Sequence, residues 1–243
     1  MSVYWFLVIF LISGCSKGTS ASSFPPANPC IYNGVDTCIQ KLTINVNLAN
    51  THQIIHSFGA SDAWSTKFVG NWNDVAKKNQ IADYLFSMDT LSSGNPKGIG
   101  LSLWRFNIGA GSFEQGDSSG IADEYRREEC FQKPDGTYDW TKQQGQQWFL
   151  NAAKQRGVKY LLGFAVSPPV QMTINGKAYG MGTPQFSLKP SMFNDYADFL
   201  VQVCKHFQSS NTPLDYLSPV NEPQWNWGSS PSQEGTAASN TDI

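Results

Sequence analysis

The sequence is poor in charged residues. Asp, Glu, Lys and Arg make up 15% of its 243 residues, and the formal net charge is −2, with no long run of either sign. Globular chains usually carry about a quarter charged residues. Because nucleic-acid binding needs a basic surface that neutralises phosphates, this composition argues against a nucleic-acid partner. Low charge together with eight Trp fits a protein that handles a neutral polymer.

Histidine and cysteine are also scarce. The three histidines are scattered, at His52, His56 and His206. Neither residue type shows metal-ligand spacing, so we predict no metal site, and no motif indicates a cofactor. Cys30 and Cys38 are close enough for a small disulfide loop in an oxidising compartment, whereas we expect Cys130 and Cys204 to be buried free thiols.

Long apolar runs are lacking except at the amino terminus. The run from Tyr4 to Ile12 is too short to span a bilayer and has the length of a signal-peptide core. The residues that follow, Ile12 to Cys15, resemble a bacterial lipobox, although no Lys or Arg precedes the run. We therefore expect residues 1–15 to be a lipoprotein signal peptide, with Cys15 lipidated and the chain anchored to a membrane of the bacterial cell envelope. The alternative is an ordinary signal peptide and secretion.

Two different segments follow the leader. Residues 16–40 are rich in Ser, Ala and Pro near their start and are predicted to be a linker. Residues 42–48 alternate apolar and polar side chains, which is typical of a half-buried antiparallel strand. We expect the segment 41–52 to contribute a strand to a small side sheet rather than to the main sheet.

The remainder, 53–243, alternates strands and helices. Predicted strands are Gln53–Phe58, Gly100–Asn107, Val158–Phe164 and Tyr216–Val220. Predicted helices are Val75–Met88, with Asn73 or Asp74 as its cap, Gln143–Arg156, and a helix that Pro190 opens. This order predicts an α/β fold with a parallel sheet, best matched by about four units of a (β/α)₈ barrel. A doubly wound fold is the alternative, but the sequence has no Gly-rich phosphate-binding fingerprint at its first strand-to-helix turn.

The last predicted strand leads into the clearest chemical motif. An apolar run ends at Asn221-Glu222-Pro223, and Pro223 stops the strand because it has no N–H for the ladder. Glu222 should then face a cleft as a proton donor, with Asn221 beside it to bond a substrate hydroxyl. Trp225 and Trp227 offer flat apolar faces for sugar rings. These groups suit glycosidic bond cleavage; the alternative is a solvated surface carboxylate.

Arg105 is the second candidate. It lies near the end of an otherwise apolar strand, where a buried cation needs an anionic partner. It forms either a salt bridge within the scaffold or a contact with a catalytic carboxylate or substrate. The carboxylates of the loop Phe113–Tyr138 (Glu114, Asp117, Asp123 and Glu124) are predicted to be solvated charges, with substrate contacts as the alternative.

Four motifs in order resemble glycoside hydrolase family 30 of clan A. They are Phe58–Trp64, Trp104–Ser112, Ser167–Thr173 and Asn221–Pro223. The resemblance spans roughly residues 40 to 230, and the most similar branch is the endo-β-1,6-galactanase-like one. It implies a (β/α)₈ barrel with a side β-sandwich, and retaining hydrolysis by two Glu.

The resemblance also assigns roles. Glu222 matches the acid/base after the fourth strand, Asn221 the neighbour that contacts the 2-hydroxyl, and Arg105 the Arg that supports the nucleophile. Trp64 and Trp225 match subsite walls, and Asp62, in the first motif, is a further substrate-binding candidate. No metal or cofactor is implied.

The resemblance leaves one catalytic group outside the sequence. In the family the nucleophile follows the seventh strand, whereas this chain ends soon after the fourth, and its tail, Gly228–Ile243, offers no fifth strand. Since retaining hydrolysis needs two carboxyl groups about 5–5.5 Å apart, we expect the chain to be inactive alone. The hypothesis is a retaining endo-acting hydrolase of plant or microbial polysaccharide, with β-1,6-galactan as the expected substrate. The alternatives are a non-catalytic glycan-binding surface lipoprotein and a structural lipoprotein.

Overall fold

The computed structural model describes residues 31–32, 35–36, 47, 49–182, 185–228 and 231–243. The chain divides into two compact units, Met1–Gln53 and Ile54–Ile243. In the first, β1 (Ile31–Tyr32) pairs antiparallel with β2 (Val35–Asp36), within the predicted linker. The predicted signal peptide with Cys15, the Cys30–Cys38 pair and all but Asn47 of the segment 42–48 lie outside the described residues.

The second unit is built on a four-stranded parallel sheet. Its strands are β3 (Gly59–Ser61), β4 (Leu103–Ile108), β5 (Tyr160–Ala165) and β6 (Tyr216–Ser218), and they lie side by side in sequence order. Each neighbouring pair is connected through a long helix. The structure therefore confirms the α/β prediction of about four βα units, arranged as part of a (β/α)₈ barrel.

The predicted first strand, Gln53–Phe58, is wrong. Ile54 and Ile55 are 96% and 59% exposed, and pairing with β4 begins only at Gly59. Gly59 approaches β4 so closely that an added Cβ would lie 2.8 Å from the Leu103 side chain. The strand therefore forms where the backbone at Gly59 can approach β4 closely, and not along the apolar run that precedes Gly59. His56, which lies in the predicted strand, is exposed and stacks on Tyr160 with ring centroids 4.3 Å apart.

The three predicted helices are present, together with two short helices that were not predicted. They are α1 (Ser65–Val69), α2 (Val75–Phe86), α3 (Ser112–Gln115), α4 (Gln144–Gln155) and α5 (Phe193–Ser209). Asp74 caps α2 by accepting a hydrogen bond from the backbone N–H of Lys77 at 2.9 Å. A 3₁₀ turn, Pro190–Met192, precedes α5. Across the described ranges, no helix combines the length and apolar character needed to cross a bilayer.

The core lies between the sheet and the long helices. Because successive side chains of a strand point to opposite faces, β4 presents Trp104 and Phe106 to the helices and Arg105 to the other face. The Trp104 ring meets Phe86 edge-on at 5.0 Å, and Phe106 meets Phe207 in the same way at 5.0 Å. This alternation places Arg105 on the face that leads to the candidate site.

The loop and the tail both contain buried residues that the sequence did not single out. The four carboxylates predicted to be solvated, Glu114, Asp117, Asp123 and Glu124, are exposed, whereas Arg127 and Glu128 of the same loop are buried. The tail forms no fifth strand among its described residues, but it is not featureless: Glu234 and Thr236 are buried, and Gly235 forms a parallel bridge with Tyr179. Cys130 and Cys204 are free thiols as predicted, although Cys204 is only half-buried.

Candidate active site

A cavity of about 220 Å³ opens at the carboxyl ends of the strands. Trp64 follows β3, Arg105 belongs to β4, Phe164 to β5, and Asn221 and Glu222 follow β6. Active sites of (β/α)₈ barrels are built at this face. Its lining residues are Ala63, Trp64, Arg105, Phe164, Val166, Asn221, Glu222 and Gln233.

Arg105 joins three strands at the cavity wall. Its Nη2 donates a hydrogen bond to Oδ1 of Asn221, and its guanidinium carbon lies 3.4 Å from the centroid of the Phe164 ring. Burial lowers the pKa of Arg105, while the negative charges of Asp62 and Glu222 act in the opposite direction. The hydrogen-bond partner is thus an amide next to Glu222, which places the guanidinium at the cavity.

Glu222 is exposed at the cavity and is held in an uncommon backbone conformation. Its φ is 47°, and Trp64, across the same cavity, has φ 96°. Side chains other than glycine rarely adopt positive φ, and such residues cost about 1–3 kcal/mol and cluster at functional sites. The carbonyl of Glu222 accepts a hydrogen bond from Nε1 of Trp227 at 3.0 Å and from the N–H of Trp225 at 2.9 Å.

Asp62 lies outside the cavity lining. It is 1% exposed, and its Oδ1 accepts a hydrogen bond from the backbone N–H of Asn107 at 2.9 Å. Burial raises the pKa of Asp62 to about 8, against the opposing effects of that N–H and of the charge on Arg105. The raised pKa favours the protonated form of this carboxyl, which supports the end of β4 from within the fold.

The two predicted tryptophans after Glu222 differ in their surroundings. Trp225 is 63% exposed and does not line the cavity. Trp227 is partly buried, and its ring packs so closely on Gly235 that an added Cβ there would lie 2.3 Å from Cε3. Trp64 is thus the indole that the structure brings to the cavity.

Sequence reasoning missed two residues beside Trp64. The guanidinium of Arg126 lies 4.7 Å from the Trp64 ring centroid and donates a hydrogen bond to Oε1 of Gln233 at 3.1 Å. Gln233 lines the cavity. Since 107 residues separate Arg126 from Gln233, no local pattern could have paired them.

Buried carboxyl groups behind the cavity were also missed. Glu234 is 1% exposed, and burial raises its pKa to about 7. Glu128 is fully buried and accepts a hydrogen bond from Nε2 of Gln146 at 2.6 Å. Burial raises the pKa of Glu128 to about 8, and the charge of Lys67 opposes this shift. Glu128 lies in the loop Phe113–Tyr138 and Glu234 in the tail Gly228–Ile243, and neither was singled out from the sequence.

The family model described as O-glycosyl hydrolase family 30 matches residues 41–243. The chain belongs to glycoside hydrolase family 30. It is similar to the crystal structure of a conserved exported protein from Bacteroides fragilis, at 40% identity and a TM-score of 0.76, over 81% of this chain and 40% of that one. The match therefore covers well under half of the relative's length.

Two more distant structures share the fold. The catalytic domain of GH30 xylanase C from Talaromyces cellulolyticus matches 79% of this chain and 41% of its own length at 24% identity and a TM-score of 0.53. An endo-β-1,6-glucanase matches 79% of this chain and 39% of its own length, at 18% identity and a TM-score of 0.54. At these identities the likeness shows the partial barrel fold only.

Proposed function

We propose that the complete protein is a retaining glycoside hydrolase that acts within a neutral polysaccharide, with Glu222 as acid/base. The observation that carries this proposal is the cavity in which Glu222, Asn221 and Arg105 meet at the carboxyl ends of parallel strands. Glu222 would protonate the leaving glycosidic oxygen and then deprotonate the water that releases the glycosyl-enzyme. Asn221 would bond a sugar hydroxyl, and Trp64 would stack on a ring.

The substrate we propose is β-1,6-galactan. It follows from the branch that the motifs resemble, and it stays a prediction, as do contacts of Asp62 and Trp225 with substrate. Export fits the similar protein described as exported, and lipidation at Cys15 would hold the enzyme at the cell envelope. No step of the proposed reaction uses a metal or cofactor.

The described residues that line the cavity include a single carboxyl group, that of Glu222. Retaining hydrolysis needs a second, about 5–5.5 Å away. We therefore propose that the 243-residue chain binds sugar without turnover. This observation also supports the second candidate function, a non-catalytic glycan-binding lipoprotein.

One pair of assays tests these candidates. The complete protein and the 243-residue chain are incubated with β-1,6-galactan, β-1,6-glucan and β-1,4-xylan, and released reducing ends are measured. We expect release by the complete protein only, highest on β-1,6-galactan. Glu222→Gln should abolish that release, and Glu124→Gln, an exposed carboxylate outside the cavity, should not. Undiminished release by Glu222→Gln would refute the role of Glu222, and glycan retention without release by the complete protein would favour the binding function.

A further inference from the structure

The carboxylate of Glu234 is anchored to the turn after β4. One oxygen accepts a hydrogen bond from the backbone N–H of Ala110 at 2.9 Å. The other accepts from the backbone N–H of Ser112 at 3.1 Å and from its hydroxyl at 2.6 Å. Three donors on one buried carboxyl group form a strong anchor, because hydrogen bonds are stronger in the low-dielectric interior than in water. The tail segment is thereby fixed to a strand more than 120 residues earlier.

This anchored segment supports the backbone at Glu222 and at the residue after it. Gly235, next to Glu234, packs against the Trp227 ring, and Trp227 donates to the carbonyl of Glu222 at 3.0 Å. Three residues beyond, the N–H of Ala238 donates to the carbonyl of Pro223 at 3.0 Å. The turn that presents Glu222 thus rests on the segment 234–238 at two points.

The conformation of Glu222 explains why such support is needed. A non-glycine residue at φ 47° stays there only when its surroundings fix the backbone, because the relaxed conformation is lower in free energy. The same segment also places Gln233 in the cavity wall, where Arg126 holds its side chain. Removing the anchor would let the turn relax and move the Glu222 carboxyl away from the leaving group.

We propose that Glu234 is a positioning residue, whose bonds to Ala110 and Ser112 hold the segment 234–238 and thereby aim Glu222 at the glycosidic oxygen. The proposal rests on the proposed acid/base role of Glu222. It differs from a purely structural role, because a misplaced acid should impair protonation of the leaving group more than it impairs binding.

The test compares leaving groups in the complete protein. Glu234→Gln puts an amide NH₂ against backbone N–H donors, and Ser112→Ala removes one of the three bonds. On polysaccharide we expect kcat to fall at least tenfold for Glu234→Gln and less for Ser112→Ala, with KM within about twofold. On a dinitrophenyl glycoside of the same sugar, whose leaving group departs without protonation, glycosylation should be slowed less than threefold in pre-steady-state measurements. Ser232→Ala, at an exposed position two residues before Glu234, is the control and should leave the rates on both substrates unchanged.

A second variant keeps the test decisive if Glu234→Gln does not fold. Trp227→Phe preserves the ring packing on Gly235 but deletes the N–H that bonds the carbonyl of Glu222, so it should show the same leaving-group dependence. Equal losses on both substrates, or unchanged kcat in a folded Glu234→Gln or Trp227→Phe, would overturn the positioning role. Glu222→Gln separates the two proposals: if it shows no leaving-group dependence, the acid/base assignment itself fails. If it does and the Glu234, Ser112 and Trp227 variants do not, only the positioning proposal fails.

Discussion

Arg105 donates a hydrogen bond to Asn221, so a side chain of β4 is joined directly to the residue before Glu222, 116 positions later. The same guanidinium stacks on Phe164 of β5. Three neighbouring strands are thus connected at the cavity through one planar cation. The sequence left open whether this Arg serves the scaffold or the site, and the geometry shows it in contact with both.

Arg105→Lys should impair catalysis more than stability. A lysine ammonium cannot stack on Phe164 as a planar group and bond Asn221 at the same time. Loss of a hydrogen bond from a charged donor costs about 1.5–3 kcal/mol, so we expect kcat/KM of the complete protein to fall roughly 10- to 100-fold. The measurement is polysaccharide hydrolysis, with the melting temperature recorded in parallel. Arg156→Lys is the matched control. Arg156 lies away from the cavity and donates a hydrogen bond to Asp83 at 2.7 Å, so this substitution should lower stability but not kcat/KM. Activity of Arg105→Lys within twofold of the unmodified protein would contradict the assignment.

Asp62 should make the chain less stable as pH rises. Its pKa is raised by burial from 3.8 to about 8, so the folded state holds a proton that the unfolded state releases above about pH 4. The contribution is fully present below that pH and is lost as pH rises to about 8, with a slope of up to ~1.4 kcal/mol per pH unit. Asp62→Asn mimics the protonated form. In urea unfolding at pH 5, 6.5 and 8, the free energy of unfolding of the variant should increase relative to that of the unmodified chain as pH rises.

Other titrating groups do not obscure that comparison. Glu128 and Glu234, whose pKa values are also raised by burial, change stability in the same direction. The pKa of His206 is lowered by burial, so its contribution is lost as pH falls below about 6.5 and opposes the trend there. All three remain in the Asp62→Asn variant. A difference between the two proteins that stays constant with pH would show that Asp62 is ionised in the folded state.

Asp74→Ala should destabilise α2 by about 1 kcal/mol, the usual effect of losing an N-cap. The lost bond is the one from the backbone N–H of Lys77 at 2.9 Å. Asp74→Asn keeps an acceptor at that place but removes the exposed ion pair with Lys77, whose oxygen-to-nitrogen distance is 3.7 Å. Because exposed ion pairs contribute little, Asn should cost only a few tenths of a kcal/mol. Equal losses for the two variants in urea unfolding would assign the effect to charge rather than capping.

Gly235→Ala should be destabilised by overpacking, at about 1–3 kcal/mol. The added Cβ would lie 2.3 Å from Cε3 of Trp227, so the indole or the tail must shift. The φ of Gly235 is not positive, so backbone strain is not part of the effect. In a Trp227→Ala background the same substitution should cost less than half as much, because the clashing ring is gone. Additive losses in this double-mutant cycle would mean that the two residues do not press on one another.

Local sequence patterns predicted the helices well. The spacing of apolar residues, the cap at Asp74 and the Pro at 190 each act within one or two turns of helix, so they can be read without knowing the partner. The parallel order of the sheet followed from the alternation of elements. The first strand was placed wrongly because its pairing depends on how closely Gly59 approaches β4, which a local apolar count does not contain.

The cavity was predicted in part. Asn221, Glu222, Arg105 and Trp64 were found because each follows or ends a strand, and the ends of parallel strands converge at one face. Glu234 was missed because a single acid in a Ser-, Gly- and Ala-rich tail carries no periodic signal. Its carboxyl group is held in the interior by hydrogen bonds from Ala110 and Ser112, which lie more than 120 residues earlier in the sequence.

The left-handed backbone at Glu222 implies a conflict between the stability of the fold and the proposed acid/base role of this residue. Glycine or asparagine would suit φ 47° better than glutamate does. A chain selected only to resist unfolding would therefore replace this residue, and would gain stability by discarding the carboxyl group. Under the proposed role of Glu222, keeping glutamate at this turn lowers the free energy of unfolding but retains a proton donor at the cavity.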